Sequence, residues 1–190
     1  MKVLALLGSP RPKGNTRAVL DTVMAAAAEA GAETELVELS ELSDLSGCRE
    51  CFKCQEVPDA PGCAVEDDMQ EVLAKALTAD VLLLATPVFG WSPSWLLKAA
   101  LDRLYCMFKF GEDELRSLLA GRGLAGVITA GGGENDGADL VTETFRRLAN
   151  FSQSRWLGTF VAGNATAPDA ILADQKLCER ARQFGRSLVA

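Results

Sequence analysis

Four of the six cysteines in this 190-residue chain fall between Cys48 and Cys63. Cys48, Cys51 and Cys54 stand at C-x2-C-x2-C spacing, and Cys63 follows after eight further residues. Three thiolates on one short loop match the local spacing of a cubane iron–sulfur cluster, whose sulfurs accept hydrogen bonds from nearby N–H groups. The fourth ligand must come from elsewhere, and Cys63 is the near candidate. A structural zinc is the competing occupant. It usually takes two separated pairs of ligands, and the chain has no histidine. Disulfides do not persist in a reducing compartment. Cys106 and Cys178 fall on helical stretches and read as buried apolar residues.

A second chemistry is written in the first loop, Gly8-Ser9-Pro10-Arg11-Pro12-Lys13-Gly14-Asn15-Thr16. It runs from an apolar strand into a helix, whose first N–H groups carry partial positive charge. Ser9, Asn15 and Thr16 add polar side chains, and Arg11, Lys13 and Arg17 add cations. Together these favour a phosphate. Five residues separate the glycines and Asn15 follows the second, so this is not a Walker A loop. Two further loops suit a flat ring. Thr86-Pro87-Val88-Phe89-Gly90-Trp91 offers aromatic faces on a bent backbone. Gly131-Gly132-Gly133 removes side chains, so a ligand can approach the main chain.

Alternating apolar runs and helical stripes position these loops. Strands are expected at Val3–Leu7, Thr34–Leu39, Val81–Ala85, Leu124–Ala130 and Arg155–Ala162. Helices are expected after Asn15 or Thr16 as cap, after Asp67 or Asp68, over Pro93–Tyr105, over Glu112–Leu119, over Ala138–Phe151 and from Pro168 onward. Gly31 is placed to stop the first helix. Five strand–helix alternations mean a parallel sheet covered on both faces. Ligands of such sheets sit beyond the carboxyl ends of the strands. The chain reads as one domain, 1–190, with a cysteine-rich loop at 43–66.

Composition narrows the function. The absence of histidine excludes Ser-His-Asp and Cys-His catalysis. A net charge of -7 argues against nucleic acid and anionic membranes as partners. No apolar run approaches a membrane span. A cytoplasmic protein is expected.

The first loop, Thr86-Pro87-Val88-Phe89 and Leu97-Lys98-Ala99-Ala100-Leu101-Asp102-Arg103 resemble the flavodoxin-like NAD(P)H-dependent FMN reductase superfamily. The cysteine segment ending in Asp67-Asp68-Met69 resembles its iron–sulfur flavoprotein branch. The resemblance implies a doubly wound α/β fold with strand order 2-1-3-4-5. It implies FMN, with the phosphate on Ser9, Arg11, Asn15 and Thr16 and with Lys13 and Gly14 also in the cofactor site. The isoalloxazine would lie against Pro87, Val88, Phe89, Gly90 and Trp91, closed by Gly131, Gly132 and Gly133. Phe89 stands where the family usually has Tyr. The branch implies a [4Fe–4S] cluster on Cys48, Cys51, Cys54 and Cys63, although its fourth cysteine usually sits closer, and the superfamily also holds cluster-free members. NAD(P)H is the implied cosubstrate, and a small molecule or a redox protein the implied partner. Lys98, Asp102 and Arg103 are expected to be structural. A homodimer or homotetramer would bury Trp95, Tyr105, Met107, Phe108 and Phe110, unless these are simply core.

Overall fold

The computed structural model describes residues 1–111, 114–165, 167 and 170–190. Five parallel strands form its centre: β1 (Lys2–Leu7), β2 (Glu33–Glu38), β3 (Val81–Phe89), β7 (Gly123–Thr129) and β8 (Arg155–Ala162). Their order is β2-β1-β3-β7-β8, the expected 2-1-3-4-5 arrangement. Side chains of a strand alternate between faces, and the core is divided accordingly. Leu4 and Leu6 of β1, Leu82 and Leu84 of β3, and Leu124 and Ile128 of β7 enter one apolar cluster. Val3, Ala5, Leu7, Val81, Leu83, Ala85, Ala125 and Val127 enter the other.

Helices cover both faces. The first cluster packs under α2 (Met69–Thr78), α3 (Trp95–Arg103) and α4 (Asp139–Phe151). The second packs under α1 (Asn15–Glu29) and α6 (Gln175–Ser187). The stripe Met69, Val72, Leu73 and Ala76 is the buried side of α2. Gly31 sits just past α1 with φ +96°, as the αL stop requires.

Several boundaries differ from the sequence reading. Gly14, not Asn15 or Thr16, is the N-cap of α1, and no side chain caps it. Strand β3 runs on to Phe89 and folds back through a two-residue strand, β4 (Ser92–Pro93). The expected helix over Glu112–Leu119 is not formed. Glu112 and Asp113 lie outside the described residues, and Leu115–Ser117 forms a strand, β6, antiparallel to β5 (Phe108–Phe110). The leucines at 115, 118 and 119 mimic a helical stripe, but pairing with β5 satisfies the backbone instead. The terminal helix divides into α5 (Ala170–Ala173) and α6, because the Asp174 carboxylate accepts bonds from the amides of Lys176 and Leu177, both 3.0 Å. Its expected start at Pro168 lies outside the described residues.

Ser94 ties the centre together. Its hydroxyl donates to the Gly8 carbonyl and accepts from the Leu97 amide, while its own amide donates to Thr86 Oγ1 at 2.9 Å. It is fully buried. Ser94→Ala removes a helix cap and a buried donor, so a loss of about 1–2 kcal/mol is expected in urea unfolding.

Candidate functional site

The three unusual loops converge at the carboxyl ends of β1, β3 and β7. A cleft of about 160 Å³ is lined by Ser9, Arg11, Asn15, Thr16, Pro87, Val88, Phe89 and Gly131. The sequence had marked all eight. Pro10, Thr129, Ala130 and Ala165 complete it. A second recess of about 190 Å³ shares Val88, Ala130 and Gly131 with the cleft and adds Gly90, Trp91, Gly132 and Asp136. Lys13 and Gly14 do not line the cleft; they face a groove along the outer side of α1. Gly133 lines neither recess.

Local bonding shows what each group still offers. The Ser9 hydroxyl bridges to the Arg11 backbone, setting the turn. Thr16 and Thr129 pair their hydroxyls at 2.6 Å on the cleft floor. The Asn15 amide donates to the carbonyls of Ala165 and Ala167, at 3.3 and 2.8 Å. Its Oδ1 is buried without a partner. Asn15 therefore spends its side-chain donors on the loop after β8 and leaves none of them free for a phosphate. Gly131 lines the cleft, and a Cβ built on it meets open space.

The rim is strained. Gly90 and Trp91 both have positive φ, +54° and +58°. This is the I′ geometry of a two-residue hairpin loop, and unusual for tryptophan. The Trp91 indole donates to Asp136 Oδ1 at 3.1 Å. Asp136 needs Gly132 beneath it, because a Cβ there would come within 2.1 Å of its carboxylate. Phe89, Trp91 and Trp95 are exposed around this mouth. Of the other apolar groups expected at a subunit contact, Phe110 is exposed, Tyr105 is half-buried, and Met107 and Phe108 are core.

The cysteine segment packs on the α2–α3–α4 face. Cys48, Cys51, Cys54 and Cys63 line one small pocket, together with Arg103, Tyr105 and Cys106. Its volume is about 20 Å³. Among the described residues, no three His, Cys, Asp or Glu side chains form a preset metal-binding group. The backbone is nonetheless shaped around sulfur. Glu50 and Phe52 are left-handed, φ +53° and +59°, the kind of alternation that turns successive N–H groups inward to make an anion nest. The Glu50 amide points at Cys48 Sγ, 3.4 Å away, and Gln55 Nε2 at Cys54 Sγ, 3.3 Å away. The eight-residue spacer is folded back by the β5–β6 hairpin. Lys109 donates to the carbonyls of Cys54 and Pro61, and Arg116 binds the Pro58 carbonyl and Asp59. That is how Cys63 reaches its companions.

Asp67 and Asp68 anchor the ends of the segment. Asp68 stands at the N-cap of α2, but its carboxylate accepts from Ser43 and from the Asp44 amide instead. Asp67 pairs with Arg103, and both side chains are almost wholly buried. Burial works against the charge of each. Mutual attraction wins, holding the Asp67 carboxyl below its ordinary range with help from Ser46, and the Arg103 guanidinium above its own. Burial and the nearby Cys63 and Cys54 push the Cys106 thiol up to about 12. Cys106 is thus a protonated wall of the pocket at neutral pH, as its apolar reading suggested. Cys178 is half-buried on α6. Lys98 and Asp102 form an exposed i,i+4 pair at 2.6 Å.

The sequence profile of NADPH-dependent FMN reductase matches residues 1–167. This chain belongs to that family. An iron-sulfur flavoprotein of Methanocaldococcus jannaschii is 36% identical over 151 residues, which is 80% of this chain and 71% of that protein. A second from the same organism is 30% identical over 144 residues, 76% of this chain and 68% of the relative. An iron-sulfur flavoprotein of Methanosarcina thermophila is 29% identical over 103 residues, which is 54% of this chain and 52% of the relative. Among solved structures, the NAD(P)H:quinone oxidoreductase of Methanothermobacter marburgensis aligns with a TM-score of 0.73 at 21% identity, covering 98% of each chain. It shares the fold. As a member of the FMN reductase family, the chain is an oxidoreductase with a flavodoxin-like core. Among the described residues, no helix is long and apolar enough to cross a membrane.

Proposed function

We propose that this chain is an FMN-dependent oxidoreductase that passes electrons between FMN in the β1–β3–β7 cleft and a [4Fe–4S] cluster on Cys48, Cys51, Cys54 and Cys63. The observation that carries the reading is the gathering of these four cysteines, scattered over sixteen positions, into one pocket. FMN supplies hydride acceptance and the exchange of two-electron for one-electron steps. The chain's own groups do the rest. The first amides of α1, Ser9 and Arg11 attract the phosphate. Asn15 holds the loop after β8 against the cleft through the carbonyls of Ala165 and Ala167. Pro87, Val88 and Phe89 form an apolar wall, and Gly131 allows close approach. Trp91, held by Asp136, shields the mouth from water. The donor set of the cysteine pocket fits a cluster: four thiols, inward amides and adjacent cations. NAD(P)H is a reductant consistent with the family.

Ser94, bonded to Gly8 after β1 and to Thr86 of β3, caps α3, and Arg103 ends that helix at the cysteine pocket. The helix, nine residues and about 13 Å long, runs from the strand ends beside the cleft to the cysteine pocket. Exposed Trp95, Phe89 and Trp91 suit coverage by a second copy, so we further propose a homo-oligomer.

A second reading is a cluster-free NAD(P)H-dependent flavin or quinone reductase, since among the described residues the four thiols are not drawn together into a preset metal-binding group. Anaerobic purification, with iron, sulfide and the visible spectrum read on one sample, decides between them. Flavin bands with about four irons per chain support the first reading. Flavin alone after iron–sulfide reconstitution supports the second. The cleft assignment has its own test. Gly131→Val adds a side chain to the cleft lining, so FMN binding is expected to weaken at least tenfold by fluorescence titration, with unchanged circular dichroism. Wild-type affinity would remove the cofactor from this cleft.

A further inference from the structure

Among the described residues, only one lysine and one arginine are buried, and both border the cysteine segment. Arg103 contributes to the wall of the pocket beside Cys63. Its Nη1 and Nη2 are used by Asp67 and by the carbonyls of Ser46 and Val65. Its Nε is buried with no partner. Lys109 is 7% exposed, and its two hydrogen bonds go to uncharged carbonyl oxygens, one of them that of Cys54 itself. Among the buried charges here, two cations face a single carboxylate. Burying uncompensated charge is costly unless an anion shares the site. A single spare N–H and a surplus cation are what a bound anionic centre would use.

The geometry points to Arg103 and Lys109 as charge-compensating positioning residues, which stabilise an assembled four-thiolate centre and raise its reduction potential. The inference rests on the cysteine centre proposed above. The physical cause is Coulombic. Each added electron makes the centre more negative, and a fixed cation in a low-dielectric surround favours that state. Lys109 makes the cleaner test because it has backbone partners alone in the hydrogen-bond network. Lys109→Gln keeps a donor and loses the charge, Lys109→Arg keeps the charge, and Lys109→Met fills the space with neither.

Two measurements read the series. The first is the midpoint potential of the iron-loaded protein, followed by electron paramagnetic resonance. Lys109→Gln is expected to shift the reduction equilibrium at least tenfold toward the oxidised form, about 59 mV for a one-electron couple, and Lys109→Arg to stay near wild type. The second is Co²⁺ affinity of the folded metal-free protein, read from thiolate-to-metal absorbance. Tenfold weaker binding is expected for Lys109→Gln and Lys109→Met. Wild-type potential and wild-type Co²⁺ affinity in Lys109→Gln would reduce Lys109 to a loop clamp and overturn the proposal. Should wild type take up no iron, the cluster reading fails. The Co²⁺ series still decides the role of the cations, since it needs only the thiolates.

Discussion

Asp67→Ala is expected to destabilise the fold by about 3–5 kcal/mol, the range for breaking a buried ion pair from one side. That is a large share of the roughly 5–15 kcal/mol that holds a domain together. The pair joins Asp67, just before α2, to Arg103 at the end of α3, with side chains 2% and 0% exposed. Removing the carboxylate strands the guanidinium. It also frees Ser46, whose hydroxyl donates to Asp67 at 3.0 Å, and so loosens the entrance to the cysteine segment. Urea midpoints of the two proteins measure the loss. The pH dependence has a fixed sign. The Asp67 carboxyl is held below its ordinary value in the folded state. Its contribution is therefore complete above the normal carboxylate range and fades as pH falls through the depressed value. Wild type should lose stability over that acid interval, and Asp67→Ala should lose less. Equal midpoints at neutral pH would show that the pair contributes nothing net.

Cys51→Ser should abolish the iron–sulfur absorbance while leaving the flavin bands. Cys51 is exposed on the loop, so under the proposed cluster reading its sulfur matters as a ligand and not for packing. The segment around it is held by Arg103, Lys109, Gln55 and Asp68, which the substitution leaves in place. The fold and the β1–β3–β7 cleft should therefore persist. Cys106→Ser is the control. Its thiol is buried and protonated, so the iron content should stay within error of wild type. Iron retained in Cys51→Ser, or lost in Cys106→Ser, would redraw the ligand set.

Much of this was legible in the chain itself. Continuous apolar runs such as Val3–Leu7 and Val81–Ala85 can satisfy themselves only as strands covered on both faces, so the sheet and its two helical layers followed from pattern. The cleft at the strand ends was legible too, because Ser9 to Thr16, Pro87 to Phe89 and Gly131 are local signals there, although Lys13 and Gly14 face the groove along α1 instead. The Leu115 segment was misread because three leucines suit either period, and pairing with Phe108–Phe110 chose the strand.

The residue types and spacing of Cys48, Cys51, Cys54 and Cys63 determined what could be ligated. Whether the eight-residue spacer let Cys63 join the others was decided in three dimensions, by Lys109 and Arg116 on a hairpin more than forty positions away. The same holds for Arg103. Its sequence neighbours suggested a structural residue, but its burial, its partner Asp67 and its unpaired Nε arise only when α3 packs beside the cysteine loop. Local pattern encodes periodicity and chemical type. Charge compensation depends on distances between segments remote in the chain, and only packing sets those.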